Sequence, residues 1–182
     1  GEGIGLGDWH TAGGGEAGQI VADPTDPDIV YAGEYLGYFS RYDHRSRQAR
    51  NVSIYPENFE GRGIEKARVR FQWTAPAMLS PHDPGTLYHA GNVIFRSRDG
   101  GQTWTAVSPD LTRDDETKQQ WSGGPITGDN TGVEFYGTVF ALAEDRRFVA
   151  DTDHYRAPGG GAFAGLDGKG VVLDAPGENR GA

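Results

Sequence analysis

Four carboxylates stand where turns or strand ends would present them to solvent: Asp8, Glu16, Asp129 and Glu134. Two carboxyl groups flanking a glycosidic bond are the minimum equipment for its hydrolysis, about 5–5.5 Å apart for retention or about 6.5–9.5 Å for inversion, with one kept protonated. Each also has a plainer role. Asp8 and Asp129 lie in glycine-rich turns where aspartate caps backbone N–H groups, and Glu16 and Glu134 flank strands with one end in water. Trp9, His10, Trp121 and Tyr136 are candidate ligand contacts, and Trp73 joins Trp9, Trp121 and Tyr136 as a possible sugar-stacking face, although aromatics at such spacing also build cores. Asp151-Thr152-Asp153-His154 places oxygen and imidazole donors together but lacks the glycine and distal glutamate of a calcium loop, so no metal site is expected. Glycines at 1, 3, 5 and 7 do not make the G-x-G-x-x-G spacing and no strand-to-helix pattern follows, so no cofactor is expected either. The five histidines are scattered and single out no Ser-His-Asp arrangement.

The elements that would carry these residues are strands. With 29 glycines and 10 prolines in 182 residues and a mean hydropathy of −0.61, the composition is that of a turn-rich all-β chain. Residues 95–105 read FRSRDGGQTWT and contain S-x-D-x-G-x-T-W at Ser97, Asp99, Gly101, Thr103 and Trp104. Val93, Ile94 and Phe95 predict a strand, Asp99-Gly100-Gly101 a turn closed by the aspartate, and Thr103 to Ser108 the returning strand, with Trp104 buried between sheets. A unit beginning at Gln19 recurs. Residues 20–33, IVADPTDPDIVYAG, match residues 77–91, AMLSPHDPGTLYHAG, at an offset of 57 with one residue inserted before the final Ala-Gly, and Tyr38–Asp43 align with Ile94–Asp99 at an offset of 56. Each copy reads strand, P-x-D-P turn, strand, strand, Asp turn, strand, with the fourth strands at Ala49–Ile54 and Thr103–Ser108. The units therefore run over about 19–56 and 77–109, and a further inner strand is expected over 134–143. Residues 57–70 connect the units as a polar loop or one or two helical turns at Glu65–Arg70. The opening 19 residues read as a loop whose glycines permit close backbone approach.

Residues 1–144 thus form one β region, whereas 145–182 carry neither the Tyr-Ala-Gly strand nor an Asp turn and read as an atypical glycine-rich tail. The net charge of −9 and the lack of a clustered basic stretch argue against a nucleic-acid partner. No apolar run approaches the roughly 18–20 residues of a membrane span. Gly1 opens without a basic and apolar leader, which fits a removed signal or an excised segment, and the lack of cysteine fits cytoplasm and bacterial exported proteins alike.

The spaced pattern in residues 97–104 resembles the Asp-box of bacterial-neuraminidase-type repeats, found in sialidases, sortilin-type propellers and xyloglucanases. Over about residues 8–144 the chain looks like part of the large bacterial glycosyl-hydrolase-like or sortilin-like repeat proteins. This resemblance implies a partial β-propeller of two four-stranded blades and the inner strand of a third, with a structural Asp-box at the periphery. It also implies a larger protein, exported from a bacterium, that supplies the rest of the propeller. The function implied is a glycan- or peptide-binding or scaffold module. The alternative is a fragment of a glycoside hydrolase of the xyloglucanase kind, so whether the chain is an enzyme stays open. No motif here matches the xyloglucanase catalytic positions closely enough to assign a catalytic residue.

Overall fold

The computed structural model describes residues 3–16, 18–59, 61–121, 126 and 135–144, and the backbone of 171–173. Strands β1 (Ile20–Ala22), β2 (Ile29–Gly33), β3 (Phe39–Asp43) and β4 (Gln48–Asn51) form one antiparallel sheet in sequence order. Strands β5 (Ala77–Leu79), β6 (Leu87–Ala90), β7 (Ile94–Ser97) and β8 (Thr105–Ala106) form a second. The protein is therefore all-β over these residues. Among the described residues, helical content is confined to single 3₁₀ turns such as Ile64–Lys66 in the 57–70 connection. No helix among the described residues is long and apolar enough to cross a membrane.

The two sheets repeat each other bond by bond. After β1, Asp23 Oδ1 accepts from the N–H groups of Thr25 and Asp26, and after β5, Ser80 Oγ accepts from those of His82 and Asp83. At the other end Ser53 Oγ accepts from Phe39 N at 2.8 Å, and Ser108 Oγ from Ile94 N at 2.9 Å. Thus a serine hydroxyl takes over where the last backbone ladder stops, and β4 and β8 end before the expected fourth strands do; β8 also starts late, at Thr105, because Thr103 is held in the Asp99 turn. The pairing also corrects the alignment. Gly33 pairs with Phe39 and Ala90 with Ile94, so Phe39 corresponds to Ile94 at an offset of 55 rather than 56, because the β2–β3 connection is longer than that between β6 and β7.

Alternation along the strands builds two core layers. Tyr31, Phe39 and Val52 of the first sheet close on Ala77 and Leu87 of the second, with Trp104 packed at the edge. The opposite face of the second sheet carries Tyr88, Ala90 and Ile94, which pack with Leu111 and Val139. Each large side chain so buried contributes roughly 1.5–3 kcal/mol. The first strands of successive units lie side by side: β1 contacts β5, and β5 contacts β9 (Leu142–Glu144). Within 135–143, the described part of the expected inner strand, ladder pairing begins only at Leu142. Gly137 takes a φ of 73° and turns the backbone, so that Phe135 joins Leu36 and Ile64 while Val139 enters the second core layer. β9 pairs in parallel with β10 (Val171–Leu173), the only described part of the 145–182 tail.

The antiparallel order sorts the connections into two ends. The β1–β2 and β3–β4 turns share one end, where Arg45 pairs with Asp26 at 2.8 Å and Asp28 at 3.2 Å. The second sheet repeats this with Arg98 and Asp83 at 3.2 Å. At the opposite end lie the β2–β3 and β6–β7 connections and the segments that lead into β1 and β5.

Candidate ligand-binding cleft

At the turn end, the 97–104 pattern is a closed hydrogen-bond circuit. Ser97 Oγ donates to Asp99 Oδ1 at 2.8 Å and accepts from Gly101 N at 2.9 Å. Asp99 Oδ1 also accepts from Thr103 N, and its Oδ2 takes the Thr103 hydroxyl at 2.6 Å. The Thr103 bonds, first the side-chain and then the backbone one, hold the Asp99 carboxyl down at about 2. A carboxylate so saturated is a brace and a poor base. Gly101 has a φ of 83°, and a Cβ there would meet Val52 at 2.7 Å, so both conformation and proximity require glycine. Trp104 Nε1 donates to the Val52 carbonyl at 2.8 Å, fastening the turn to the first sheet. This turn is a joint between sheets.

The open site lies at the other end. A cleft of about 230 Å³ is lined by Gly13, Gly14, Ala32, Glu34, Tyr38, Phe39, Ser40 and Asn51. Its floor is the face of the first sheet that points away from the second, and one wall is the glycine-rich lead-in. A Cβ on Gly14 would sit 2.9 Å from the Gly33 carbonyl, and one on Gly18 would run into that same carbonyl, so close backbone approach accounts for these glycines. Ser40 Oγ is used internally, accepting from Gly14 N at 3.3 Å and donating to the Ala32 carbonyl at 3.2 Å. The Glu34 carboxylate, the Tyr38 hydroxyl and the Asn51 Nδ2 have no hydrogen-bond partner among the described residues, while Asn51 Oδ1 accepts from Ser53 N. Between Glu34 and Tyr38 the chain is held in an unusual form: Leu36 has a φ of 61° with its side chain buried against Ile64 and Phe135.

The repeat explains why this space is open. Ile20 pairs with Ala32 and Ala32 with Ser40, just as Ala77 pairs with His89 and His89 with Phe95. His89 stacks between Phe39 at 4.5 Å and Phe71 at 5.2 Å. The counterparts of His89, Phe95 and Phe71 in the first unit are Ala32, Ser40 and Gly14. Three large side chains have become small ones. The segment leading into β5 is tied down as well: Arg70, almost fully buried, bonds Asp110 at 2.7 Å, Asp114 at 2.9 Å and Thr112 Oγ1 at 2.9 Å, and Asn92 Nδ2 reaches Asp110 at 2.7 Å. Burial pushes the Asp110 carboxyl up, but the Thr112, Asn92 and Arg70 bonds outweigh it and leave the group below its ordinary range.

The residues expected to carry chemistry are dispersed. Asp8 closes the Leu6–Asp8 turn by accepting from Gly5 N at 2.7 Å, the capping role open to it from the outset. Glu16 is exposed on the lead-in. Trp9 and Trp121 are 74% and 57% exposed. His10 lies 4.5 Å from the His44 ring and 5.6 Å from Tyr42, covering the outer face of the first sheet near its turn end. Tyr136 lies under Lys118 Nζ at 5.0 Å. Trp73 is half-buried, and its Nε1 is buried without a partner among the described residues. Asp129, Glu134 and Asp151–His154 lie outside the described residues. No group of three or more metal-ligating side chains occurs among those described. No protein-family model matches the chain, and no curated protein matches it. Glu34, Tyr38 and Asn51 were not among the expected site residues. The signal for them was the loss of side-chain volume between repeat-equivalent positions.

Proposed function

We propose that this chain is an arc of an Asp-box β-propeller within a larger exported bacterial protein, and that it is a binding or scaffold module recognising a glycan or a peptide at the loop end of its sheets. The observation that carries the functional reading is the cleft beside Glu34, Tyr38 and Asn51, open where the second unit is filled. The side-by-side first strands and the bond-by-bond repetition of the two sheets support the propeller arc. At about 230 Å³ the cleft is smaller than the roughly 300–1,000 Å³ of sites for drug-sized ligands, so it takes one ring or one side chain of a longer ligand. The hydrolase alternative gains no support from the described carboxylates, since Asp8 is spent as a cap and Glu16 is solvated.

The test is titration of the chain with oligosaccharide and peptide panels, with amide chemical shifts locating the contact. Shifts confined to residues 13–14, 32–40 and 51, lost in Asn51→Ala, support the reading. Release of reducing sugar from β-glucans, abolished by Glu134→Gln or Asp8→Asn, refutes it in favour of an enzyme.

A further inference from the structure

We infer that the joint between the two sheets carries a site for an oxyanion group, contacted by Arg41 and Arg50. It lies on the face of the first sheet opposite the cleft and stands independently of the cleft's role. Arg41 of β3 pairs directly with Arg50 of β4, and Tyr31 of β2 pairs with Arg41, so the three side chains form one row on the face turned to the second sheet. The row converges on the 97–104 turn. Arg50 Nη2 donates to the Gly100 carbonyl at 3.3 Å, and Arg41 Nε and the Tyr31 hydroxyl each lie 3.4 Å from the point that a Cβ on Gly100 would occupy. Two guanidinium groups thus meet at one glycine, and neither has a carboxylate partner among the described residues. The nearby aspartates are already engaged: Arg45, in the same hairpin, takes Asp26 at 2.8 Å, Asp28 at 3.2 Å and Asp43 at 3.4 Å.

Like charges directly opposite on adjacent strands repel, and the second sheet avoids the arrangement. There the counterpart of Arg41 is Arg96, which pairs with Thr105. The doubled arginine therefore belongs to the first unit and is not demanded by the repeat. An oxyanion relieves the repulsion. Paired strands hold opposite Cα atoms roughly 4.5–5.5 Å apart, so one carboxylate, sulfate or phosphate group reaches both forks. Each guanidinium has five N–H donors, and Arg50 spends one of its own on Gly100. A cation would be repelled by both arginines, and a neutral group would leave the two charges facing each other. Arg50 is exposed, and Arg41 and Gly100 are half-buried, so the site opens to solvent at the rim of the joint.

The experiment titrates the full chain by calorimetry and amide chemical shift with sodium sulfate, sodium phosphate, sodium glucuronate and glucose, with sodium chloride holding the ionic strength constant. Each titration is repeated with Arg41→Gln, Arg50→Gln, Arg50→Lys and, as a control, Arg47→Gln, an exposed arginine of the same hairpin. An unchanged melting temperature verifies each fold; should Arg50→Gln loosen the turn, Arg41→Gln, which leaves the Gly100 bond in place, carries the test. The expected result is binding of an oxyanion probe with shifts centred on residues 41, 50 and 100, and none there with glucose. Arg41→Gln and Arg50→Gln should each weaken it at least tenfold, Arg50→Lys should restore part of the loss, and Arg47→Gln should stay within about twofold of the native chain. Sulfate or phosphate binding as tightly as glucuronate identifies a free inorganic anion, whereas a glucuronate preference of at least tenfold identifies an acidic sugar. Silence of all three oxyanions at these residues, binding that survives both glutamine variants, or an equal loss in Arg47→Gln overturns the inference. None of these outcomes bears on the cleft, whose own binding is the part lost in Asn51→Ala.

Discussion

His89 makes the fold sensitive to acid in a definite window. Its ring is fully buried and sandwiched between Phe39 and Phe71. Nδ1 lies 3.2 Å from the Pro76 carbonyl oxygen, which can only accept, so Nδ1 carries the proton. Nε2 has no hydrogen-bond partner among the described residues, and the Gly37 backbone is the weakest influence on the ring. Burial dominates and lowers the histidine from 6.5 to about 4. Because the folded value lies below the unfolded one, the unfolded chain takes up the proton first as pH falls. The stability is therefore complete above about pH 6.5 and drains away between there and pH 4. At about 1.36 kcal/mol per pH unit the loss is roughly 3 kcal/mol, a large share of a domain's stability. Urea unfolding followed by tryptophan fluorescence between pH 4.5 and 7.5 measures it, and Trp104, 6.3 Å from His89, reports on that layer. His89→Phe keeps a flat ring in the stack and cannot titrate. It costs about 1 kcal/mol at pH 7 through the lost Pro76 bond, a carbonyl that still accepts from Ala90 N. Its stability profile should be flatter than the native one across this window. Parallel profiles for the two proteins would refute the argument.

Trp104→Ala should destabilise by about 3 kcal/mol, the low end for loss of a large aromatic because the ring is half-buried, and denaturant titration should find Trp104→Phe intermediate, since it keeps a ring in place but loses the Val52 bond and part of the indole's packing. Arg70→Ala should cost about 3–5 kcal/mol, because it strands Asp110 beside a buried void; thermal unfolding should then show Asp110→Asn to be no additional burden in the double variant. Asp99→Ala should lower the melting temperature by roughly 3 °C through opening of the 97–104 turn, with no change in ligand affinity once folded. A selective loss of binding in folded Asp99→Ala would give the turn a role in recognition.

The turns were legible because their instructions are local. Asp99 finds Ser97 and Thr103 within four residues, so spacing alone predicts those bonds, whereas the P-x-D-P turns are capped by Asp23 and Ser80, the residues just ahead of the first proline, which the motif itself does not contain. The strands followed from the same turns and from period-2 alternation, which places Tyr31 and Phe39 on one face. The cleft was illegible for the complementary reason. It is made by Gly14, Ala32, Ser40 and Asn51 from four separate stretches, and only the strand register says which residue of the second unit each replaces. The sequence alignment inserted its extra residue ahead of Ala-Gly, which set Gly33 against Gly91, whereas the ladder sets Gly33 against Ala90 and places the length difference in the connection after it. With that one-residue slip, Ala32 falls opposite Ala90 and the contrast with His89 disappears. Once the register is right, the two units agree at the turn after their first strand, but the 97–104 circuit has no counterpart in the shorter 44–47 connection, and the units differ in volume at the cleft. Positions 14, 32 and 40 carry small residues where the other copy stacks His89 on Phe71 beside Phe95. The two copies thus share the turn after their first strand and diverge in side-chain volume at the end where their second and third strands are joined.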